Sequence, residues 1–196
     1  EAISGMPWGM FLRERIFIPM GMTSTFATWE DSLAEGSGTT AMPHANRDGG
    51  AVPGALRCLD PVQPIQFESL GRNAAGAMVS TARDMAKWLS MLLHKGVYDG
   101  RTILPPEVVD ECLAMHVPIR QEKSDLRFIR DMGADTTLMG YGLGWYLTGY
   151  RNTLLAFHDG QTRGSSCAIA FSPILGHGAA ILTNVYHTAA HPALGF

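Results

Sequence analysis

Acyl-transfer chemistry needs an activated nucleophile, and two serine signatures that announce one are missing: no serine is followed three positions later by a lysine, and no G-x-S-x-G elbow occurs. The triplet that can do chemistry is His158-Asp159-Gly160. It follows the apolar residues 154–157, so its imidazole can project from a strand end beside an open backbone position at Gly160. There it can hydrogen-bond a substrate carboxylate or carbonyl, or help to move a proton. Taken alone, a single histidine in a strand is more often structural than functional. Tyr150-Arg151-Asn152 spells Y-x-N, but it falls where a hairpin turn is expected, and Asn is favoured in turns for backbone reasons. His187 and His191 have i, i+4 spacing, yet the acid of H-E-x-x-H is absent and the flanks do not read as helix. Neither a metal nor another cofactor is expected.

Positioning these residues takes two kinds of element. Pro7 to Phe17 repeats apolar residues at three-to-four spacing and reads as a helix stopped before Pro19. Residues 23–72 are rich in Gly, Pro, Ser and Thr, with little periodicity, and read as a long loop that wraps a larger body or lines a site. Ser80 or Thr81 can cap a helix whose apolar face is Met85, Trp88, Leu89, Leu92 and Leu93, with Gly96 as its stop. After a turn at Tyr98-Asp99-Gly100, a short second helix is expected from Pro105 to Leu113, and residues 117–137 read as loop. The last third consists of short apolar runs at 141–147, 154–158, 167–171 and 178–183, separated by turn residues at 149–153 and 173–177. That pattern predicts consecutive antiparallel strands joined by hairpins.

Bulk properties bound the function. The 196 residues, 46% hydrophobic and 17% charged, suit one globular domain with its own core. A net charge of −3 with scattered Lys and Arg argues against a nucleic-acid partner. No apolar run approaches the roughly 20 residues that cross a bilayer. Cys58, Cys112 and Cys167 form neither a disulfide framework nor a metal pair, and are read as small buried hydrophobes.

Four segments in order resemble the serine β-lactamase/penicillin-binding-protein superfamily, particularly its class C-like and esterase-like branch. Phe17-Ile18-Pro19-Met20-Gly21-Met22-Thr23-Ser24-Thr25 resembles the branch's Pro-Leu-Gly-Met-x-x-Thr segment. The stretch from Ala75-Gly76-Ala77 through Ser80-Thr81-Ala82-Arg83-Asp84-Met85-Ala86-Lys87-Trp88 is similar to its Ala-Gly-Gly-x-x-Ser-Thr-Ala-x-Asp-Met-Ala-x-Trp helix start. Tyr141-Gly142-Leu143-Gly144-Trp145 looks like the strand ahead of its third motif, and Ile181-Leu182-Thr183-Asn184 like the strand after it. The resemblance implies an α+β, partial β-lactamase/transpeptidase-like fold. Helices and long loops would occupy residues 1–137, and antiparallel strands residues 138–196, as the C-terminal part of one domain.

The family's third motif, Lys-Thr-Gly or His-x-Gly, falls by resemblance on His158-Asp159-Gly160, whose basic residue faces the substrate's carboxylate or leaving-group side. The amide just after it, here the backbone N–H of Gln161, would supply half of the oxyanion hole. Asn73, Ala74 and Ala75 fall where the family's chain passes the active-site rim and so can touch substrate, although a plain loop-to-helix junction is the preferred account because Asn suits such turns. The family's Ser-x-x-Lys and Tyr-x-Asn precede the Pro-x-Gly-Met segment, so the chain is expected to begin too late for either and to be inactive alone.

The intact protein is accordingly expected to be a serine hydrolase or acyltransferase working on a small ester, amide or β-lactam through an acyl-enzyme. This chain would work with a companion polypeptide or a copy of itself covering an exposed sheet edge. Histidine in place of lysine carries less positive charge at neutral pH, which favours ester or D-amino-acid peptide chemistry over efficient β-lactam hydrolysis. A non-catalytic binding or scaffold protein of the same fold is the rival.

Overall fold

The computed structural model describes residues 1–36, 38–46, 59–61, 73–119, 136–162 and 164–185. Helix α1 (Trp8–Leu12) runs into a π-helical turn (Arg13–Phe17) and is followed by α2 (Trp29–Glu35), α3 (Ala82–Leu93) and α4 (Pro106–Cys112). The strands are β1 (His44–Asn46), β2 (Leu59–Pro61), β3 (Val97–Tyr98), β4 (Arg101–Thr102), β5 (Val117–Pro118), β6 (Thr136–Tyr141), β7 (Tyr146–Tyr150), β8 (Thr153–Thr162), β9 (Ser165–Ser172) and β10 (His177–Thr183). The last six form one antiparallel sheet in the order β10-β9-β8-β7-β6-β5, and β1-β2 and β3-β4 pair separately. The architecture is α+β, as expected. From β6 to β10, sequential strands lie side by side because their connections are too short to reach elsewhere.

The hairpin turns follow from local chemistry. Arg151 and Asn152 have φ of 44° and 64°, and Asp99 and Gly100 have φ of 49° and 72°. Two successive left-handed residues match the twist of the flanking strands, so Tyr150-Arg151-Asn152 is a turn. One expected strand is divided: β6 ends at Tyr141 and β7 begins at Tyr146, with Gly144 at φ 84° and the Gly142 N–H donating to the Trp145 carbonyl at 2.8 Å. Apolar content hid this turn because Leu143, though hydrophobic, lies at its exposed tip.

The long expected loop is also interrupted. The Thr28 side chain accepts from the Asp31 N–H at 3.1 Å and starts the 7-residue α2, too short to show a helical period. The thiols differ from the expectation as well: Cys112 is half-buried and Cys167 exposed, while Cys58 lies outside the described residues. Residues 120–135, most of the expected 117–137 loop, lie outside them too, and the two ends of that segment are not loop but strand, in β5 and β6.

The Thr81 side chain caps α3 by accepting from the Asp84 N–H, and α3 packs on β10 and β9. Leu89, Met91 and Leu92 of α3 join Phe17, Met20, Met22, Val109, Trp145, Leu147, Ala156 and Phe171 in the main core. Register explains the sheet's share: Leu147 pairs with Ala156, which pairs with Phe171, so the three sit abreast on one face. The intervening residues Leu155, Phe157 and Ala170 turn to the other face and pack with Met139.

A buried polar cluster fastens the segment after α1 to the start of α3. Asp84, 2% exposed, accepts from the Ser24 N–H at 2.8 Å, the Thr25 hydroxyl at 2.9 Å and the Lys87 ammonium at 3.0 Å. Lys87 also donates to the Gly21 carbonyl. Beside it, Phe26 and Val79 exchange two backbone hydrogen bonds at 2.9 and 3.0 Å.

Candidate active site

Strand β8 is the longest in the sheet, and its two neighbours do not cover it equally. Its last pair with β7 is Tyr146↔Phe157, whereas pairing with β9 continues through His158↔Ile169, Asp159↔Ala168, Gly160↔Cys167, Gln161↔Ser166 and Thr162↔Ser165. From His158 onward, one edge of β8 has therefore left the β7 ladder. Four candidate residues, His158, Asp159, Gly160 and Gln161, occupy this stretch consecutively. The histidine lies inside β8 rather than at its end, at the point where the neighbouring strand stops.

The half-buried His158 ring is held at both nitrogens. Nδ1 lies 2.6 Å from the carbonyl oxygen of Asp159, and Nε2 lies 3.0 Å from the hydroxyl of Tyr141. Tyr146 adds a ring contact, its centroid 5.3 Å from that of His158 at an interplanar angle of 31°. Tyr141 and Tyr146 are cross-strand partners in an edge-to-face pair with centroids 4.8 Å apart. The sequence reading placed Tyr141 only at a strand start. The available signal was an aromatic residue on each side of the Gly-containing turn, which a hairpin register brings opposite one another.

Burial, and then the negative charge of Asp159, push the Tyr141 phenol above its ordinary range. For Tyr146 the causes are burial, then Tyr141, then Asp159. A group whose folded pKa is raised contributes stability that is fully present below its unfolded value and lost as pH rises through the folded value. Folding stability should therefore decline as pH climbs above about 10. Urea unfolding at stepped alkaline pH, with phenolate absorbance followed in parallel, checks this. Tyr141 and Tyr146 should ionise late, and a midpoint unchanged across that range would contradict the assignment.

Gly160 faces Cys167 across the β8–β9 pair, and a Cβ added there would lie 2.9 Å from the Cys167 sulfur. The Cys167 sulfur takes the space that a side chain at position 160 would need. Asn73 and Ala75 stand on a separate element, a 3₁₀ turn spanning Asn73–Ala75 ahead of α3, and Ala75 is exposed. The Asn73 side chain, like His187 and His191, lies outside what the structure describes. Among the described residues, no group of three or more His, Cys, Asp or Glu side chains could hold a metal ion, and no helix is long and apolar enough to cross a membrane.

Known proteins resemble this chain in sequence and in fold. The chain is 25% identical over 201 residues to the unguisins hydrolase ungD' of Aspergillus campestris, covering 96% of this chain and 31% of that protein. It is 27% identical over 187 residues to penicillin-binding protein 4 of Amycolatopsis lactamdurans, covering 94% of this chain and 43% of that one. The chain thus spans less than half the length of either curated relative. The octameric penicillin-binding protein homologue from Pyrococcus abyssi has the same fold, with a TM-score of 0.67 at 20% identity over 98% of this chain and 38% of that one. The model of the Beta-lactamase family matches residues 1–195, and the chain belongs to that family.

Proposed function

We propose that this chain forms the substrate wall of a serine hydrolase or acyltransferase that works through an acyl-enzyme. The nucleophile, its lysine and the catalytic tyrosine come from sequence outside these residues. One observation carries the reading: His158, Asp159, Gly160 and Gln161 are consecutive on β8, where β7 has stopped pairing. Such an edge has backbone groups outside the β7 ladder, and amide donors aimed at a developing oxyanion are a leading source of transition-state stabilisation. In this reading the Gln161 N–H is one oxyanion donor, and His158 faces the leaving-group or carboxylate side. Asp159, Gly160, Asn73 and Ala75 contact the substrate.

Esters and amides fit this wall better than a β-lactam carboxylate. A neutral imidazole offers less attraction than a lysine ammonium. The Asp159 charge, felt by both tyrosines, adds repulsion for an anion. A partner is also part of the proposal, either a companion chain bearing the nucleophile or a second copy. Met10 and Ile18 are exposed, and β10 ends the sheet with no Asp, Glu, Lys or Arg over His177–Thr183. An uncharged edge strand is a template for pairing.

The test is intact-mass measurement of the whole purified sample before and after exposure to an activated ester or a β-lactam, with any adduct mapped to a peptide. The proposal expects an adduct on a serine in a Ser-x-x-Lys segment outside these residues, on the same protein or on a partner, formed faster with the ester. An adduct on a serine of this chain would contradict it. No adduct with any partner would favour a non-catalytic binding role.

A further inference from the structure

Both nitrogens of His158 are already occupied, which restricts how the imidazole can work. The Asp159 carbonyl can only accept, so the 2.6 Å contact at Nδ1 requires the proton to be on Nδ1. In the neutral ring Nε2 is then a lone-pair acceptor. The hydroxyl 3.0 Å away belongs to Tyr141, which must donate to it. We infer that Tyr141 is the positioning residue through which His158 acts: its hydroxyl holds the one imidazole nitrogen that the backbone leaves open, and so fixes how the ring is presented along β8.

The surroundings are consistent with a neutral phenol in that role. The groups facing the ring are Tyr141 from β6, Tyr146 from β7 and Asp159 from β8 itself, while its β9 partner is the apolar Ile169. Burial and the Asp159 charge both favour the protonated phenol at Tyr141, the form that can donate to Nε2. If a proton reaches Nε2, the hydroxyl oxygen becomes the acceptor and its own O–H turns elsewhere in the site, with no proton lost from the phenol. His158 is therefore not an open base, and the pair acts as one unit.

The catalytic consequence rests on the function proposed above, but the pair itself is tested without turnover. In the ¹⁵N-labelled 196-residue chain, long-range imidazole spectra assigned with His158→Gln should show a protonated Nδ1 and a hydrogen-bonded, unprotonated Nε2. Tyr141→Phe should move the Nε2 resonance to the value of an open acceptor, with the other histidine signals and the amide spectrum in place. Fluorotyrosine at position 141, a stronger donor of nearly the same shape, should move Nε2 in the opposite direction even if the phenylalanine variant folds poorly. An Nε2-protonated neutral ring, or an Nε2 signal indifferent to both changes, would overturn the inference.

In the active assembly, Tyr141→Phe should lower kcat/KM roughly tenfold alone and leave a His158→Gln background unchanged, the signature of two residues acting as one. Equal losses in both backgrounds would show that Tyr141 does not work through His158. A positive spectroscopic result without any effect of His158→Gln on turnover would leave the pair standing and refute the catalytic role of the site instead.

Discussion

If the Gln161 N–H is the oxyanion donor proposed above, replacing this amide by an ester, through an α-hydroxy acid at that position, is expected to lower the acylation rate roughly 10²- to 10³-fold, about 3 to 4 kcal/mol of transition-state stabilisation. The substitution removes one N–H and leaves the strand's path intact. Oxyanion donors have this leverage because the carbonyl oxygen gains full charge only in the transition state, and a fixed amide meets it without reorganising. Loss of an ordinary ladder hydrogen bond costs about 1 kcal/mol of stability and no selective loss of rate. The matched control is an ester at Thr162, the next residue of β8 and the last to pair with β9. Stopped-flow acylation with an activated ester reads both. A Gln161 ester within about twofold of its Thr162 counterpart would remove this amide from the mechanism and leave His158 as the site's main surviving element.

Asp84→Ala is expected to destabilise the chain by about 3 to 5 kcal/mol, the range for removing one partner of a buried ion pair. Three donors converge on this carboxylate: the Ser24 amide, the Thr25 hydroxyl and the Lys87 ammonium. Alanine would leave them facing a void. Asparagine keeps the volume and accepts fewer of these bonds, so Asp84→Asn should fall between wild type and alanine. Lys87→Met should cost less than Asp84→Ala, because the carboxylate it leaves behind keeps the Ser24 amide and the Thr25 hydroxyl as donors. Urea unfolding followed by tryptophan fluorescence ranks the three. An Asp84→Ala loss below about 1 kcal/mol would mean that the cluster behaves like a surface pair and does not pin the segment after α1 to α3.

Features governed by neighbours within a few residues were legible without the structure. Thr81 caps α3 because a hydroxyl three residues before a free amide satisfies it locally. Asp99-Gly100 and Arg151-Asn152 turn the chain because their backbones accept positive φ. Helix α2 escaped detection because 7 residues hold too few turns to display a period, and the β6–β7 turn because its tip is apolar. His158-Asp159-Gly160 could be singled out by residue type, by the apolar run ahead of it and by its place in the order of four family-like segments, but nothing local showed which side chains would meet the imidazole.

By itself, the sequence determined the α+β arrangement, the family, the run of antiparallel strands and the triplet on which a mechanism could be hung. These depend on periodicity, turn chemistry and the order of motifs, all written along the chain. Only the tertiary structure decided what meets what. The Tyr141 hydroxyl reaches His158 across 17 residues because the β6–β7–β8 register brings the strands together, and Asp84 reaches the Ser24 amide across 60 because α3 packs back on the segment after α1. Such contacts are fixed by strand register and helix docking, which depend on how the whole core packs, and no local pattern encodes them.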